Sequence, residues 1–172
     1  MITVLPITKK ENTSKVYVVS DLSELSSLGF NEDEFDYLNG SLKDDFEWKL
    51  INRFKEQIYV VKANDKTTTQ SQEKIRKAGA NIAKSLNEFK QKEVAIYDKT
   101  KREAYLSSIA EGMALANYQF LKYFKDSENK ANTLKSIYAQ SKDISKEQLL
   151  ELNAIVEATF WARDLVNEPV SF

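Results

Sequence analysis

The sequence contains neither cysteine nor histidine. Without thiols, the chain has no disulfide framework, no thiolate nucleophile and no zinc site built on cysteine. Without imidazole, it has no histidine-based catalytic triad and no histidine pH switch. Any metal site in this chain would have to be built from carboxylates, alone or together with lysine or backbone oxygen.

The chain also lacks an excess of either charge and any long apolar run. Its 25 basic and 26 acidic residues give a net charge of -1. Because the chain has no excess of positive charge to attract nucleic acid or an anionic membrane, neither is expected as a partner. The N-terminus has no basic region followed by an apolar segment, which argues against a signal peptide. The apolar runs are too short to span a bilayer. A cytoplasmic location is the default expectation.

Six short segments have the composition and alternation of β-strands. They cover residues 2–5, 15–20, 47–52, 57–63, 93–98 and 134–139. The nearly continuous apolar runs Val16–Val19 and Ile58–Val61 are typical of strands that are buried on both faces of a sheet. Two of the strands flank Phe54–Glu56, a spacing that fits a hairpin.

Five helical patterns alternate with these strands. They cover residues 21–28, 31–40, about 75–89, about 101–124 and 145–166. Asn31 with Glu34, and Ser145 with Gln148, have the spacing of N-terminal capping boxes. The alternation predicts an α/β layered domain, with a mixed sheet of about six strands flanked by about five helices.

The length of 172 residues suits one structural domain with a core of its own. Within it, we distinguish a layered part over residues 1–144 from a C-terminal helix and its extension over residues 145–172. The stripe of this helix that is expected to pack on the sheet consists of Leu149, Leu152, Ile155 and Val156.

The end of the same helix is apolar on more than one face. It carries four large apolar side chains, Phe160, Trp161, Leu165 and Val166. A helix that is apolar all round is normally buried. We therefore expect this end to be unusually exposed in the chain by itself, or to be covered by another copy of the chain or by a further domain.

Two segments of the sequence carry a family resemblance. Residues 162–169, Ala-Arg-Asp-Leu-Val-Asn-Glu-Pro, are similar to the segment of the leucyl (cytosol) aminopeptidase family in which a long helix ends as the chain enters the catalytic domain. Residues 111–120, Glu-Gly-Met-Ala-Leu-Ala-Asn-Tyr-Gln-Phe, followed by Lys122 and Tyr123, are similar to a second helix of the family. The resemblance implies a macro-domain-like N-terminal domain that leads into a catalytic domain absent from this sequence.

In this family the chemistry resides in the C-terminal domain. Two divalent metal ions, zinc or manganese, are held there by aspartate, glutamate and lysine, and they activate a water molecule for peptide hydrolysis. None of those metal-binding signatures occurs here, so we predict no catalytic, cofactor-binding or metal-binding residue in this chain.

The resemblance thus implies that the chain is not itself an enzyme. Its role would be architectural, within a protein that removes N-terminal amino acids from peptides. The implied partners are its own catalytic domain and the other subunits of a homo-oligomer, which is a hexamer in this family.

The charged and aromatic groups that could form a site of their own have ordinary structural explanations. Acidic groups occur at Asp33, Glu34 and Asp36, and at Asp44, Asp45 and Glu47. The first group lies at a helix start, where acids favour the helix dipole, and neither has the spacing of a calcium loop. The basic residues of the third helix, Lys74, Arg76, Lys77 and Lys84, are interpreted as a solvated face.

Near the C-terminus, Arg163 and Asp164 are adjacent on a helix and therefore do not face each other. Each is expected to bond to other partners at a domain junction. Phe160 and Trp161 are expected either to pack in the core or to pack against a further domain.

The sequence leaves two alternative functions open. A free-standing macro-type module would bind ADP-ribose or a nucleotide, but a phosphate cradle needs glycines close together, and no two of the four glycines lie within ten residues of each other. Gly29 and Gly40 are interpreted as helix caps, whereas Gly79 and Gly112 fall inside helical patterns. The other alternative is a scaffolding protein of unknown partner.

Overall fold

The computed structural model describes residues 2–7, 13–42, 47–140 and 144–169. The strands are β1 (Thr3–Pro6), β2 (Ser14–Val19), β3 (Trp48–Asn52), β4 (Gln57–Lys62), β5 (Glu93–Asp98) and β6 (Ser136–Ala139). The helices are α1 (Glu32–Leu42), α2 (Thr69–Glu88), α3 (Glu103–Ala116), α4 (Ser127–Lys130) and α5 (Lys146–Asn167), with a 3-10 turn at Leu22–Leu25. The predicted α/β architecture is confirmed.

The six strands form one sheet in the order β1-β6-β5-β2-β4-β3. Neighbouring strands are parallel except at the edge, where β3 pairs antiparallel with β4. These two strands are joined by a short turn in which the Arg53 amide donates to the Glu56 carbonyl (3.0 Å). The predicted hairpin and mixed sheet are therefore both confirmed.

The central strands are buried on both faces, as their apolar runs predicted. On one face, Val16 and Val18 belong to the core that the sheet forms with α2, α3 and α5. On the other face, Tyr17 and Val19 pack with residues of α1 and of the 3-10 turn. The two-sided burial explains why these strands read as continuous apolar segments.

The close approach of α2 and α3 depends on two glycines. A Cβ atom at Gly79 would lie 2.5 Å from the carbonyl oxygen of Ile109, and one at Gly112 would lie 2.0 Å from the carbonyl oxygen of Arg76. Side-chain carbons do not approach a backbone oxygen that closely, so the two helices can touch here only where side chains are absent. Both glycines lie inside helices, as predicted, and they serve helix packing.

The helix predicted over residues 101–124 is shorter than expected, because α3 ends at Ala116. The Asn117 side chain accepts a hydrogen bond from Asn87 Nδ2 (2.9 Å) and donates one to the Leu134 carbonyl (3.0 Å). These contacts with distant segments hold the chain away from a helical continuation.

Two other helix boundaries also differ from the prediction. The segment predicted as a helix over residues 21–28 forms only the 3-10 turn, which Gly29 follows with a φ of +70°. Gly40 was predicted to end the next helix, but α1 continues to Leu42 and encloses it. Glycine is unfavourable in a helix interior but not forbidden there, so its presence alone did not end the helix.

Candidate functional site

The C-terminal helix α5 begins and ends as its local sequence predicts. Ser145 and Gln148 form a capping box, in which each side chain accepts a hydrogen bond from the backbone of the other. The helix ends at Asn167, and Glu168 is extended, with φ of -67° and ψ of 134°. The following residue is Pro169, which disfavours helical geometry in the residue before it.

One side of α5 packs on the domain. Leu149, Leu152 and Val156 are buried, as predicted. Ile155, which was predicted to join them, is 47% exposed, so that part of the prediction was wrong. Successive helical residues are about 100° apart, and this rotation carries Ile155 out of the narrow stripe that faces α3 and β1.

The last turns of α5 are joined to the residues around the end of α3 by specific hydrogen bonds. The Tyr118 hydroxyl donates to Asp164 Oδ1 (2.9 Å) and accepts from Asn167 Nδ2 (3.1 Å). Arg163 Nη1 donates to the Leu115 carbonyl (2.9 Å). We call this set of contacts between residues 115–123 and residues 160–168 the clasp.

The clasp confirms the prediction for the adjacent charged pair of α5. Arg163 and Asp164 do not bond to each other; each finds a separate partner in the clasp. The Arg163 guanidinium also lies over the Tyr118 ring, 5.3 Å from its centroid, which is within range of a cation–π interaction.

Glu168 extends the clasp beyond the end of the helix. Its carboxylate accepts hydrogen bonds from Lys122 Nζ and from the Tyr123 hydroxyl. The bond from the Lys122 ammonium, followed by that from Tyr123, lowers the pKa of the Glu168 carboxyl. The hydrogen bond to Glu168 raises the pKa of the Tyr123 phenol. The chain is thereby held at the point where it leaves α5.

The two aromatic residues of α5 differ in environment. Phe160 is partly buried and packs against the Tyr118 ring, with centroids 5.2 Å apart. Trp161 is 70% exposed, and Leu165 and Val166 are 61% and 85% exposed. The predicted exposure of this helix end is therefore confirmed for three of its four large apolar side chains, and Phe160 is the exception.

A groove with a volume of about 790 Å³ runs between α5 and the segment that precedes β6. Its walls include Tyr118, Leu121, Phe160 and Trp161.

No helix among the described residues is long and apolar enough to cross a membrane. The described ranges also hold no group of three acidic side chains that could bind a metal ion. The prediction that the chain carries no catalytic, cofactor-binding or metal-binding residue stays a prediction.

The first predicted acidic group serves the start of α1. Asn31 and Glu34 form the expected capping box (3.0 and 2.8 Å). The Glu34 carboxylate also accepts from Arg53 Nε and Nη2 (2.7 and 2.6 Å), and these bonds lower the pKa of the Glu34 carboxyl. Asp44 and Asp45 of the second group lie outside the described residues.

One of the basic residues of α2 links this helix to α3. Arg76 forms ion pairs with Glu73 (2.7 Å) and with Glu111 of α3 (2.9 Å). Lys77 is 67% exposed and 4.0 Å from Glu73. The interpretation as a solvated, charge-balanced face is confirmed for Lys77, whereas Arg76 is half-buried and bridges α2 and α3.

We expect the clasp to control local opening of the end of α5. Tyr118→Phe removes the hydroxyl that bridges Asp164 and Asn167, so amide hydrogen exchange over residues 161–168 should accelerate by about tenfold, the equivalent of one or two hydrogen bonds. The free energy of global unfolding should change by less than about 1 kcal/mol, because the bonds are near the surface.

Tyr138→Phe is the matched control, because it removes a phenol bonded to Glu93 (3.3 Å) in the sheet. Hydrogen-exchange mass spectrometry should show residues 161–168 unchanged in this variant. Equal acceleration in both variants, or none in Tyr118→Phe, would show that the clasp does not hold the helix end.

The sequence of this chain is similar to that of known proteins. The sequence model described as the cytosol aminopeptidase family, N-terminal domain, matches residues 61–127. This match runs from β4 through α3 and includes the half of the clasp around Tyr118. A probable cytosol aminopeptidase of Clostridium tetani is 32% identical over 116 residues, which is 63% of this chain and 23% of that protein. The chain thus spans about a quarter of the length of this curated relative.

Solved structures share the fold. A tomato leucine aminopeptidase variant superposes with a TM-score of 0.67 and 15% identity, covering 98% of this chain and 39% of that one. The bottromycin maturation enzyme BotP, in complex with manganese, gives a TM-score of 0.61 and 16% identity, covering 92% of this chain and 32% of that one. At this level of identity the likeness establishes the fold.

Proposed function

We propose that the chain is an N-terminal domain of the cytosol aminopeptidase family and that its role within such an enzyme is architectural. The observation that carries this proposal is the clasp. The two sequence segments that resemble the family are 46 residues apart at Tyr118 and Asp164, and they bond directly to each other. Their function, in this view, is to hold the end of α5 in one orientation.

The polar groups of the clasp bond to one another within the domain, which supports a structural role for them. Asp164, Arg163 and Glu168 each engage a partner within the domain. A nucleophile or general base needs a second group placed to take or give a proton at the reacting atom. The clasp groups instead restrict the direction in which the chain passes through Pro169.

For the whole protein, we propose removal of N-terminal amino acids from peptides in the cytoplasm. The relatives named as cytosol and leucine aminopeptidases support this activity. The manganese complex of BotP supports a requirement for divalent metal ions, either zinc or manganese, which would be held in the catalytic region and not in this chain. We further propose that this domain contacts its own catalytic domain and other subunits of a homo-oligomer.

The alternative of a nucleotide-binding module receives no support from the glycines. Gly79 and Gly112 are occupied in the contact between α2 and α3, and Gly40 lies within α1. Only Gly29 among the four has a positive φ. A phosphate cradle would need several backbone amides converging on one point.

We expect the purified 172-residue chain to release no nitroaniline from leucine p-nitroanilide, with or without added zinc or manganese. An intact aminopeptidase of this family is the positive control in the same buffers. Hydrolysis that follows the chain through successive columns, and that an active-site-directed aminopeptidase inhibitor abolishes, would contradict the architectural assignment.

A further inference from the structure

The two edge strands of the sheet differ in how their outward backbone groups are satisfied. On β1, the amides of Thr3 and Ile7 bond toward β6, so the groups of Val4 and Pro6 face outward. The Val4 amide donates to Asn153 Oδ1 (2.9 Å), and Asn153 Nδ2 donates to the Val4 carbonyl (2.8 Å). Proline has no amide hydrogen. A side chain of α5 and a proline thus protect this edge, as proteins commonly do against unwanted strand pairing.

The edge formed by β3 has no such protection. The Arg53 amide bonds to β4 side of the hairpin (3.0 Å), and bonded residues alternate along an antiparallel ladder, so Ile51 also faces β4. Trp48 and Leu50 therefore direct their amides and carbonyls away from β4. Among the residues that the structure describes, these outward groups have no hydrogen-bond partner. We call the outward backbone groups of Trp48 and Leu50 the free edge.

A strained and exposed aromatic residue lies at the tip of the hairpin, two residues beyond β3. The Lys55 amide donates to the Arg53 carbonyl (2.7 Å) across Phe54, whose φ is +64°. A γ-turn with a positive φ at its centre is rare and strained, and the conformation is unfavourable for a bulky residue. Phe54 is 91% exposed, so burial within the domain does not offset the strain. These properties indicate a contact with another molecule.

We infer that the free edge binds an extended segment of a partner polypeptide, which adds a strand to the sheet beside β3 and contacts Phe54 at the tip. An extended polypeptide presents main-chain donors and acceptors at the spacing of a strand edge, and such bonds supply the affinity of strand addition. This binding surface goes beyond the architectural role proposed above and does not depend on it.

The side chains of β3 specify the composition of the partner segment. Trp48 and Leu50 are half-buried on the face of the sheet that packs against the helical core, so the partner residues beside them are expected to be apolar. Lys49 lies on the opposite face, over the Tyr37 ring (5.9 Å). Opposite charges on neighbouring strands attract, so the partner residue beside Lys49 is expected to be acidic. Apolar and acidic residues should therefore alternate in the partner segment.

A fluorescein-labelled peptide, Ser-Val-Glu-Val-Glu-Val-Ser, is the probe for this inference. Fluorescence anisotropy with the 172-residue chain should give a dissociation constant in the micromolar range. Methylation of the three valine amides should weaken binding by at least about tenfold, because those amides would face the free edge. Methylation of the two glutamate amides is the matched control. These amides would point away from β3, so binding should be retained.

Three variants of the chain test the same surface. Leu50→Pro removes one outward amide and should weaken binding by about tenfold, with circular dichroism confirming the fold, because edge strands tolerate proline where the amide faces outward. Leu50→Val keeps the amide and should bind like the parent chain. Phe54→Gly should weaken binding but leave the urea midpoint unchanged or raised, because glycine adopts a positive φ without strain.

Several results would overturn the inference. Equal binding of the two methylated peptides, or no saturable binding below about 1 mM, would show that the free edge does not pair with a peptide backbone. A lowered urea midpoint in Phe54→Gly would show that Phe54 stabilises the domain itself. A chain that dimerises alone and becomes monomeric on Leu50→Pro would assign the free edge to a second copy. None of these measurements depends on peptidase activity.

Discussion

Replacing Gly112 by alanine is expected to lower the free energy of unfolding by about 3 kcal/mol, the upper part of the usual range for overpacked cores. The added methyl group would lie 2.0 Å from the Arg76 carbonyl oxygen and 2.8 Å from the carbonyl carbon. These are backbone atoms inside α2, so no rotamer change can relieve the clash. The two helices would have to separate and open gaps between buried residues such as Ile82 and Leu106.

Gly40→Ala in α1 is the matched control for this prediction. No atom lies within 4 Å of the position where its Cβ would be built. Because alanine favours a helix interior over glycine, this variant should be more stable by roughly 0.5–1 kcal/mol. Urea denaturation followed by circular dichroism measures both effects. Equal and small changes in the two variants would show that the contact between α2 and α3 is looser than the structure indicates.

This pair of glycines illustrates what the sequence can and cannot predict. The apolar periodicity of α2 and α3 and their Lys and Glu residues were sufficient to place Gly79 and Gly112 inside helices. Which helices touch at these glycines depends on the order of the strands, and strand pairing joins residues far apart in the chain. No local pattern contains that information.

The boundaries of helices and strands were predicted well where contacts between residues close in the sequence determine them. Strand β5 covers residues 93–98, as predicted, and the capping box at Ser145 marks the start of α5. The predicted boundaries were wrong where contacts between residues far apart in the sequence determine them. The strand predicted from Leu134 begins at Ser136 instead, because the Leu134 amide donates to the Asn87 side chain (2.9 Å) rather than to a neighbouring strand.

The clasp shows the same limit at the candidate site. Sequence reasoning identified both segments and expected separate partners for Arg163 and Asp164. It did not identify Tyr118 as the residue that joins them, because the interacting atoms are 46 residues apart. The signal that could have suggested the contact was the joint occurrence of the two segments in the family's order, which indicates a shared role but not a hydrogen bond.

The second prediction with a large effect concerns Asp98, the last residue of β5. Its side chain is buried, with 2% exposure. One oxygen accepts from the amide and hydroxyl of Thr100 (2.8 and 2.6 Å), and the other accepts from the amide of Arg102 (3.0 Å). These bonds form the bend that carries the chain from β5 into α3, in which Lys101 adopts a φ of 57°.

Asp98→Ala is expected to lower the free energy of unfolding by about 2–5 kcal/mol, because two backbone amides lose their acceptor and each unsatisfied group costs about 1–3 kcal/mol. Asp21→Ala is the control: Asp21 follows β2 and accepts from the Ser23 amide (2.8 Å), but it is exposed. Water can replace that bond, so the loss should stay near 1 kcal/mol, as for an exposed helix cap. Denaturant midpoints of the two variants and the parent chain measure the difference. Equally small losses of stability in the two variants would contradict this prediction. They would show that water reaches the amides of Thr100 and Arg102, and that the bend before α3 does not depend on the buried Asp98 carboxylate.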